Sequence, residues 1–151
     1  MDYELLLQQW KALLSDESHL ISVLSNTSAL ISEFYGERVN WAGFYFLEGK
    51  DLILGSFQGK VACMRLKEGK GVCQKAVRER KTVIVEDVHS FEGHIACDSA
   101  SRSEIVLPIH HDGKVIAVLD IDSPILERFS QDDRDGLEDF VRALERIIFT
   151  N

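Results

Sequence analysis

The chain has little proline, two residues in 151, and no low-complexity tract, which argues against linkers and long disordered tails. It has no run of roughly 18 apolar residues, so no segment reads as a membrane span. The N-terminus, MDYELLLQQW, opens with an acid and lacks a basic region ahead of a long apolar core, which excludes a signal peptide. Positive charge is short: 17 Lys and Arg stand against 25 Asp and Glu, a net −8 that nucleic acid and anionic membranes would repel. The one dense basic run, RERK at 78–81, reads as a solvated helix end. Cysteine is scarce as well. The three present, Cys63, Cys73 and Cys97, are an odd number. The compartment expected is the cytoplasm, where such a count means thiols, metal ligands or transient disulfides rather than structural staples.

What is present is ordinary for a globular protein: 45% hydrophobic and 28% charged residues. The length sets one domain, 1–151, able to bury a full core. Leu6, Trp10, Leu13 and Leu14 recur at helical spacing, and Leu20, Leu24, Ile31 and Phe34 mark a second helix ending at Gly36, with a break offered at residues 26–28. These apolar positions are core or dimer contacts. Residues 39–47 form a strand whose period of two puts Trp41, Gly43, Tyr45 and Leu47 on one face and Ala42, Phe44 and Phe46 on the other. Residues 52–57 return as its hairpin partner. Residues 58–71 read as irregular, 72–80 as a short helix and 82–85 as a short strand.

Residues 86–103 show no clear period, and a loop this long in a compact domain points to function. Strands at 105–109 and 115–121 are joined through His111-Asp112-Gly113, where Asp-Gly favours a tight turn. Alternation in the second places Ile116, Val118, Asp120 and Asp122 on one face and Val115, Ala117, Leu119 and Ile121 on the other. Pro124 ends that strand. Ser130, Asp132 and Asp133 start a final amphipathic helix carrying Leu137, Phe140, Val141, Leu144, Ile147 and Ile148. Helices at both ends around hairpin-linked strands imply an α+β fold, an antiparallel sheet covered by helices.

Three groups of residues could carry chemistry. Cys97, between Ile95-Ala96 and Asp98-Ser99 with Arg102 close in sequence, suits a partly exposed reactive thiol. Two further cysteines supply partners for a disulfide formed by condensation with a sulfenic acid. Zinc is the competing chemistry, with His89, His94, His110 or His111 completing a ligand set. No compact Cys-x2–4-Cys pair joins the cysteines, however, and His89 and His94 lack a matching one. Asp120 and Asp122 end an apolar strand on one face. With Glu104 on the neighbouring strand, three carboxylates would converge and raise at least one pKa. Trp41 and Tyr45 share a face, where they serve as core or wall a small ligand that has an ammonium and an apolar tip.

The segments NWAGFYF (40–46), GKGVC (69–73), GHIACDSASRSEIVLPI (93–109) and VLDIDSP (118–124) together resemble the free methionine-R-sulfoxide reductases, which are single GAF domains. The resemblance runs from about residue 40 to the last helix. It departs at Glu92, where the family often has proline, and at Gln74, where it often has glycine. It implies that Cys97 attacks the sulfoxide sulfur, with Cys63 as the principal resolving cysteine and Cys73 as a second or alternative one. Glu104, Asp120 and Asp122 would bind substrate and help protonate the departing oxygen, with Glu104 as proton donor, and Trp41 and Tyr45 would wall the methyl group. Free methionine sulfoxide as substrate, thioredoxin as reductant, a homodimer and the preference for the R epimer are implied in the same way, and no metal or cofactor is expected. The alternatives are a GAF sensor module that binds a small molecule without turnover, and a redox-regulated structural or interaction protein.

Overall fold

The computed structural model describes residues 1–93 and 99–148. Helix α1 (Tyr3–Leu14) begins where the Asp2 carboxylate accepts from the Leu5 amide at 2.9 Å, and it buries Leu6, Trp10 and Leu14. Helix α2 (Leu20–Tyr35) stops at Gly36, whose φ of 61° suits a residue without Cβ. The break offered at residues 26–28 does not occur. Thr27 and Ser28 turn their hydroxyls back to the Val23 and Leu24 carbonyls at 2.6 and 2.9 Å, and Trp10 Nε1 donates to Thr27 Oγ1 at 2.9 Å. The polar pair is thereby satisfied inside the helix rather than competing with it. Leu13 and Leu20, expected on the buried stripes, are instead exposed. Burial needs a neighbour as well as a period, and these two terminal turns lack one.

Six strands form one antiparallel sheet in the order β3-β2-β1-β6-β5-β4. They are β1 (Trp41–Glu48), β2 (Asp51–Gly59), β3 (Arg65–Leu66), β4 (Val83–Val85), β5 (Ser103–His111) and β6 (Lys114–Ser123). The short β3 falls within the stretch read as irregular. The β5–β6 turn has positive φ at Asp112 and Gly113, 52° and 76°, as the Asp-Gly pair predicts. One expectation fails beside it. Ile116 packs on the face of Leu119 rather than that of Val118, because Ile109 pairs with Ala117 and His110 with Val115, leaving Ile116 as the extra residue of a bulge.

Both faces of the sheet are covered. On one, Ala42, Phe44, Ile105, Leu107, Leu119 and Ile121 pack against α1, α2 and the last helix, α4 (Gln131–Ile148). Trp10 and Phe140 bring their rings to 5.1 Å there. Helix α4 opens with a capping box in which the Ser130 amide donates to Asp133 Oδ2 at 2.8 Å and the Asp133 amide to Ser130 Oγ at 3.3 Å. Tyr3 crosses onto α4 above Gly136, where any Cβ would meet its ring at 2.3 Å, and donates to Asp133 Oδ1 at 2.5 Å. The opposite face carries Trp41, Tyr45, Val106 and Val118 beneath helix α3 (Gly71–Glu79) and the loops around it. Gln74 helps seat α3: its buried amide donates to the Lys50 and Leu66 carbonyls at 3.1 and 2.8 Å. Residues 78–81 are exposed, as a solvated helix end requires. Among the described residues no helix is long and apolar enough to cross a membrane.

Candidate active site

The α3 face of the sheet gathers most of the residues singled out from the sequence. Antiparallel register sets Glu104 of β5 opposite Asp122 of β6, and on the other side of β6 pairs Asp122 with Trp41 and Asp120 with Gly43. Side chains two apart on a strand share a face, so Asp120 and Asp122 meet Glu104 there. Glu104 and Asp120 are buried, at 7% and 6% exposure, and Asp120 Oδ1 has no hydrogen-bond partner among the described residues. Burial pushes the Asp120 carboxyl well above its ordinary range, and the charges of Asp122 and Glu104 push it further. Carboxylates only accept hydrogen bonds, so the group closes into a bonded cluster when it holds a proton.

Cys73, in the first turn of α3, is a free thiol buried beside these acids. Its Sγ and one oxygen each of Glu104 and Asp120 lie within 4.8 Å of one another. Burial raises the Cys73 pKa well above that of an ordinary thiol, and the Asp120 and Glu104 charges raise it further, so it stays neutral. Cys63, on the β2–β3 connection, is half-buried and disulfide-bonded. Cys97 lies outside the described residues, and so does His94.

The described histidines of the zinc reading scatter. His110 sits 3.7 Å from Glu145 and His111 lies 3.4 Å from Asp112, both away from the acids, and His89 belongs to a short 3-10 turn at Val88–Ser90. The His, Cys, Asp and Glu group that does come together among the described residues is Cys73, Glu104 and Asp120. These three are the side chains that could hold a cation.

The aromatic side chains form a stack. Trp41 lies between Tyr45, at 5.9 Å, and Phe57, at 5.2 Å, with interplanar angles of 26° and 16°. Gly43 makes the stack possible: a Cβ there would meet the Phe57 Cβ at 2.3 Å and the Trp41 ring at 2.8 Å. The polar tips of Trp41 and Tyr45 reach the loop before β3. Trp41 Nε1 donates to the Lys60 carbonyl at 3.2 Å, and the Tyr45 hydroxyl to the Cys63 carbonyl at 2.9 Å. Burial raises the Tyr45 pKa, with Asp120 adding to it, so the hydroxyl remains a donor.

The far end of the long loop is also tied down. Asn40 Nδ2 donates to Ser101 Oγ at 3.0 Å, and the Arg102 amide to the Ser123 carbonyl at 2.8 Å. Sequence reasoning missed Phe57, Asn40 and Ser101 as parts of the site. Continuing the β1–β2 hairpin register to Gly43 points to Ser56, and only the register shift between Gly43 and Tyr45 brings Phe57 opposite Gly43. Nothing local marks the other two.

A donor cluster that can hold a proton, a disulfide-bonded cysteine and an aromatic wall thus share one sheet face. That set can bind a small cation and supply a proton next to redox sulfur chemistry. The GAF domain family model matches residues 18–148. The chain is 48% identical over 143 residues to the free methionine-R-sulfoxide reductase of Escherichia coli, covering 95% of this chain and 86% of that protein. The fRMsr of Staphylococcus aureus in complex with substrate superposes with a TM-score of 0.90 at 51% identity, over 97% of this chain and 95% of that one. The free methionine-R-sulfoxide reductase from Neisseria meningitidis in complex with its substrate gives 0.92 at 40%, over 97% and 87%.

Proposed function

This chain belongs to the free methionine-R-sulfoxide reductases, a family of GAF-domain oxidoreductases, and from that premise we propose that it reduces free L-methionine (R)-sulfoxide to L-methionine through its cysteines. The observation that carries the reading is the convergence of Glu104, Asp120 and Asp122 on the sheet face that also holds the Cys63 loop. The substrate's α-ammonium is a natural partner for such a cluster. A carboxyl that burial keeps protonated suits a reaction in which an oxygen must accept a proton.

In the proposed sequence the Cys97 thiolate attacks the sulfoxide sulfur, while a proton from the acid cluster, through Glu104, goes to the oxygen. The oxygen ends on Cys97 as a sulfenic acid. The Cys97 sulfur is oxidised by two electrons, and the sulfoxide sulfur is reduced by two and leaves as the thioether of methionine. The Cys63 thiol then attacks the sulfenic sulfur, water leaves and a disulfide remains. The disulfide-bonded state of Cys63 supports its resolving role. Buried, neutral Cys73 is proposed as an alternative partner that must first be uncovered, and Trp41 and Tyr45 as the wall beside the methyl group. A thioredoxin-type dithiol would return both cysteines to thiols. We place the protein in the cytoplasm as one GAF domain, 1–151, acting as a homodimer.

The test is incubation with each epimer of free methionine sulfoxide and dithiothreitol, with methionine measured as product. Methionine from the R epimer alone, abolished in Cys97→Ser, is the expected result. Intact thiols after incubation, with no methionine, would mean a binding module without turnover.

A further inference from the structure

The segment around Cys63 departs from the rest of the surface in two ways. Val61 and Met64, on either side of the half-buried Cys63, are 87% and 79% exposed, the two most exposed large apolar side chains among the described residues. Their exposure does not come from a loose loop. The backbone is pegged at Lys60 by Trp41, at Cys63 by Tyr45 and at Met64, whose carbonyl accepts from the Leu54 amide at 3.0 Å. The chain is held while the two side chains point away from it. Charge reverses here as well. Residues 60–70 carry Lys60, Arg65, Lys67 and Lys70 against Glu68, a net of +3 in a chain of −8. Lys60, Lys67 and Lys70 are exposed and form no ion pair among the described residues.

We propose that this collar is the docking surface for the protein that reduces the Cys63 disulfide, a dithiol protein with an apolar surface around its reactive sulfur and an acidic rim. The inference rests on the sulfoxide reductase reading and adds the partner's recognition to it. A small thiol needs no apolar rim and no charge pattern. A protein must lay its own surface over the disulfide, and apolar contact at the centre with opposite charge around it is what such an encounter uses. The basic segment steers an acidic partner towards a molecule whose net charge would otherwise repel it. With the collar centred on Cys63, the partner's thiolate attacks Cys63 Sγ. A mixed disulfide forms there, and the other sulfur of the broken bond leaves as thiolate and takes up a proton. The partner's second thiol then attacks the partner's own sulfur, releasing Cys63 as thiol. The partner ends as a disulfide, and two electrons have passed to this chain.

Thioredoxin serves as the probe, with dithiothreitol as the small-thiol control. Val61→Asn with Met64→Gln should raise the KM for thioredoxin at least about fivefold, corresponding to about 1 kcal/mol of contact. Turnover with dithiothreitol and the single methionine released without reductant should stay unchanged. Lys67→Glu with Lys70→Glu should also raise that KM and flatten its dependence on salt, since screening weakens an attraction the variant no longer has. A thioredoxin whose second cysteine is serine, mixed with diamide-oxidised protein, should be trapped on Cys63, as mapped by peptide mass. This trap needs no sulfoxide turnover, so it reads the docking whatever the epimer assay says of the substrate. Equal KM values in wild type and both variants, parallel losses with thioredoxin and dithiothreitol, or a trapped bond on Cys97 would each overturn the proposal.

Discussion

The Tyr45 hydroxyl donates to the Cys63 carbonyl at 2.9 Å, so the strand that carries the aromatic stack also holds the backbone of the disulfide-bonded cysteine. Tyr45→Phe keeps the ring and removes the tether. One such hydrogen bond is worth roughly 1 kcal/mol, about a fivefold effect. The first methionine should be released at the wild-type rate, while closure of the disulfide, followed as loss of the second thiol, slows by about that factor. Equal slowing of both phases would assign the hydroxyl to substrate rather than to the loop.

Removing the proposed proton donor separates chemistry from thiol reactivity. Glu104→Gln should slow the first methionine release by about 10²–10⁴-fold, the range typical of general acid catalysis. Its reaction with hydrogen peroxide should stay close to wild type, because peroxide asks nothing of the acid cluster. Asp120→Asn and Asp122→Asn should mainly raise the KM. Stopped-flow quench with methionine quantified decides it, and an unaltered first turnover in Glu104→Gln would remove that residue from the role.

Substrate size follows from the same cluster. Acetylating the amine of methionine sulfoxide removes the charge that the carboxylates would meet, at a cost on the order of 2–5 kcal/mol for a desolvated pair. The N-acetyl compound and sulfoxide peptides should therefore be reduced at least about 30-fold less efficiently than the free amino acid, the factor that 2 kcal/mol represents. A competition assay reading both products by mass gives the ratio directly.

Two aspartates should respond to pH in opposite senses. Asp133 sits in a partly buried site that by itself would raise its pKa, yet hydrogen bonds from Ser130 and Tyr3 and the charge of Arg128, at 3.0 Å, hold it below 3.8. A depressed carboxyl stabilises the fold above its unfolded value and loses that contribution as pH falls through the folded one. Asp133→Asn should cost about 2–3 kcal/mol at neutral pH, as loss of charged hydrogen bonds does, and less as pH falls through the depressed folded value. Asp120 is the reverse case. Its pKa is raised, so its favourable state is complete below 3.8 and is lost as pH rises through the folded value. Asp120→Asn should therefore gain stability relative to wild type as pH rises. Urea midpoints across pH give both signs, and a flat difference for Asp120→Asn would mean that its carboxyl titrates normally.

Cys73 should be masked in the native state. Because it is buried and its thiol is held neutral by burial and the neighbouring acids, it should react with iodoacetamide at least about tenfold more slowly in the folded protein than in denaturant. Peptide mapping after timed alkylation measures the ratio.

Periodicity and turn chemistry determined the elements. Apolar residues at helical spacing, alternation in 39–47, Asp-Gly between two apolar strands and Ser130 before two acids all express local preferences that survive in the folded chain. The α+β class followed from them, and so did the shared face of Asp120 and Asp122. Tertiary structure decided what was near what. The pairing of Glu104 with Asp122 depends on a strand register that no single strand contains, and a bulge at Ile116 shows how one extra residue shifts such a register. Phe57 joined the stack because Gly43 on another strand left it room, and Cys73 met the acids because α3 lies over that face. The break offered at residues 26–28 does not occur because Thr27 and Ser28 bond back to carbonyls of their own helix, while the indole of Trp10, from a different helix, fills the remaining acceptor of Thr27. Local sequence encodes which conformation a segment prefers. Burial, charge coupling and proton affinity are set by neighbours distant in the chain, and they exist only once the layers have packed.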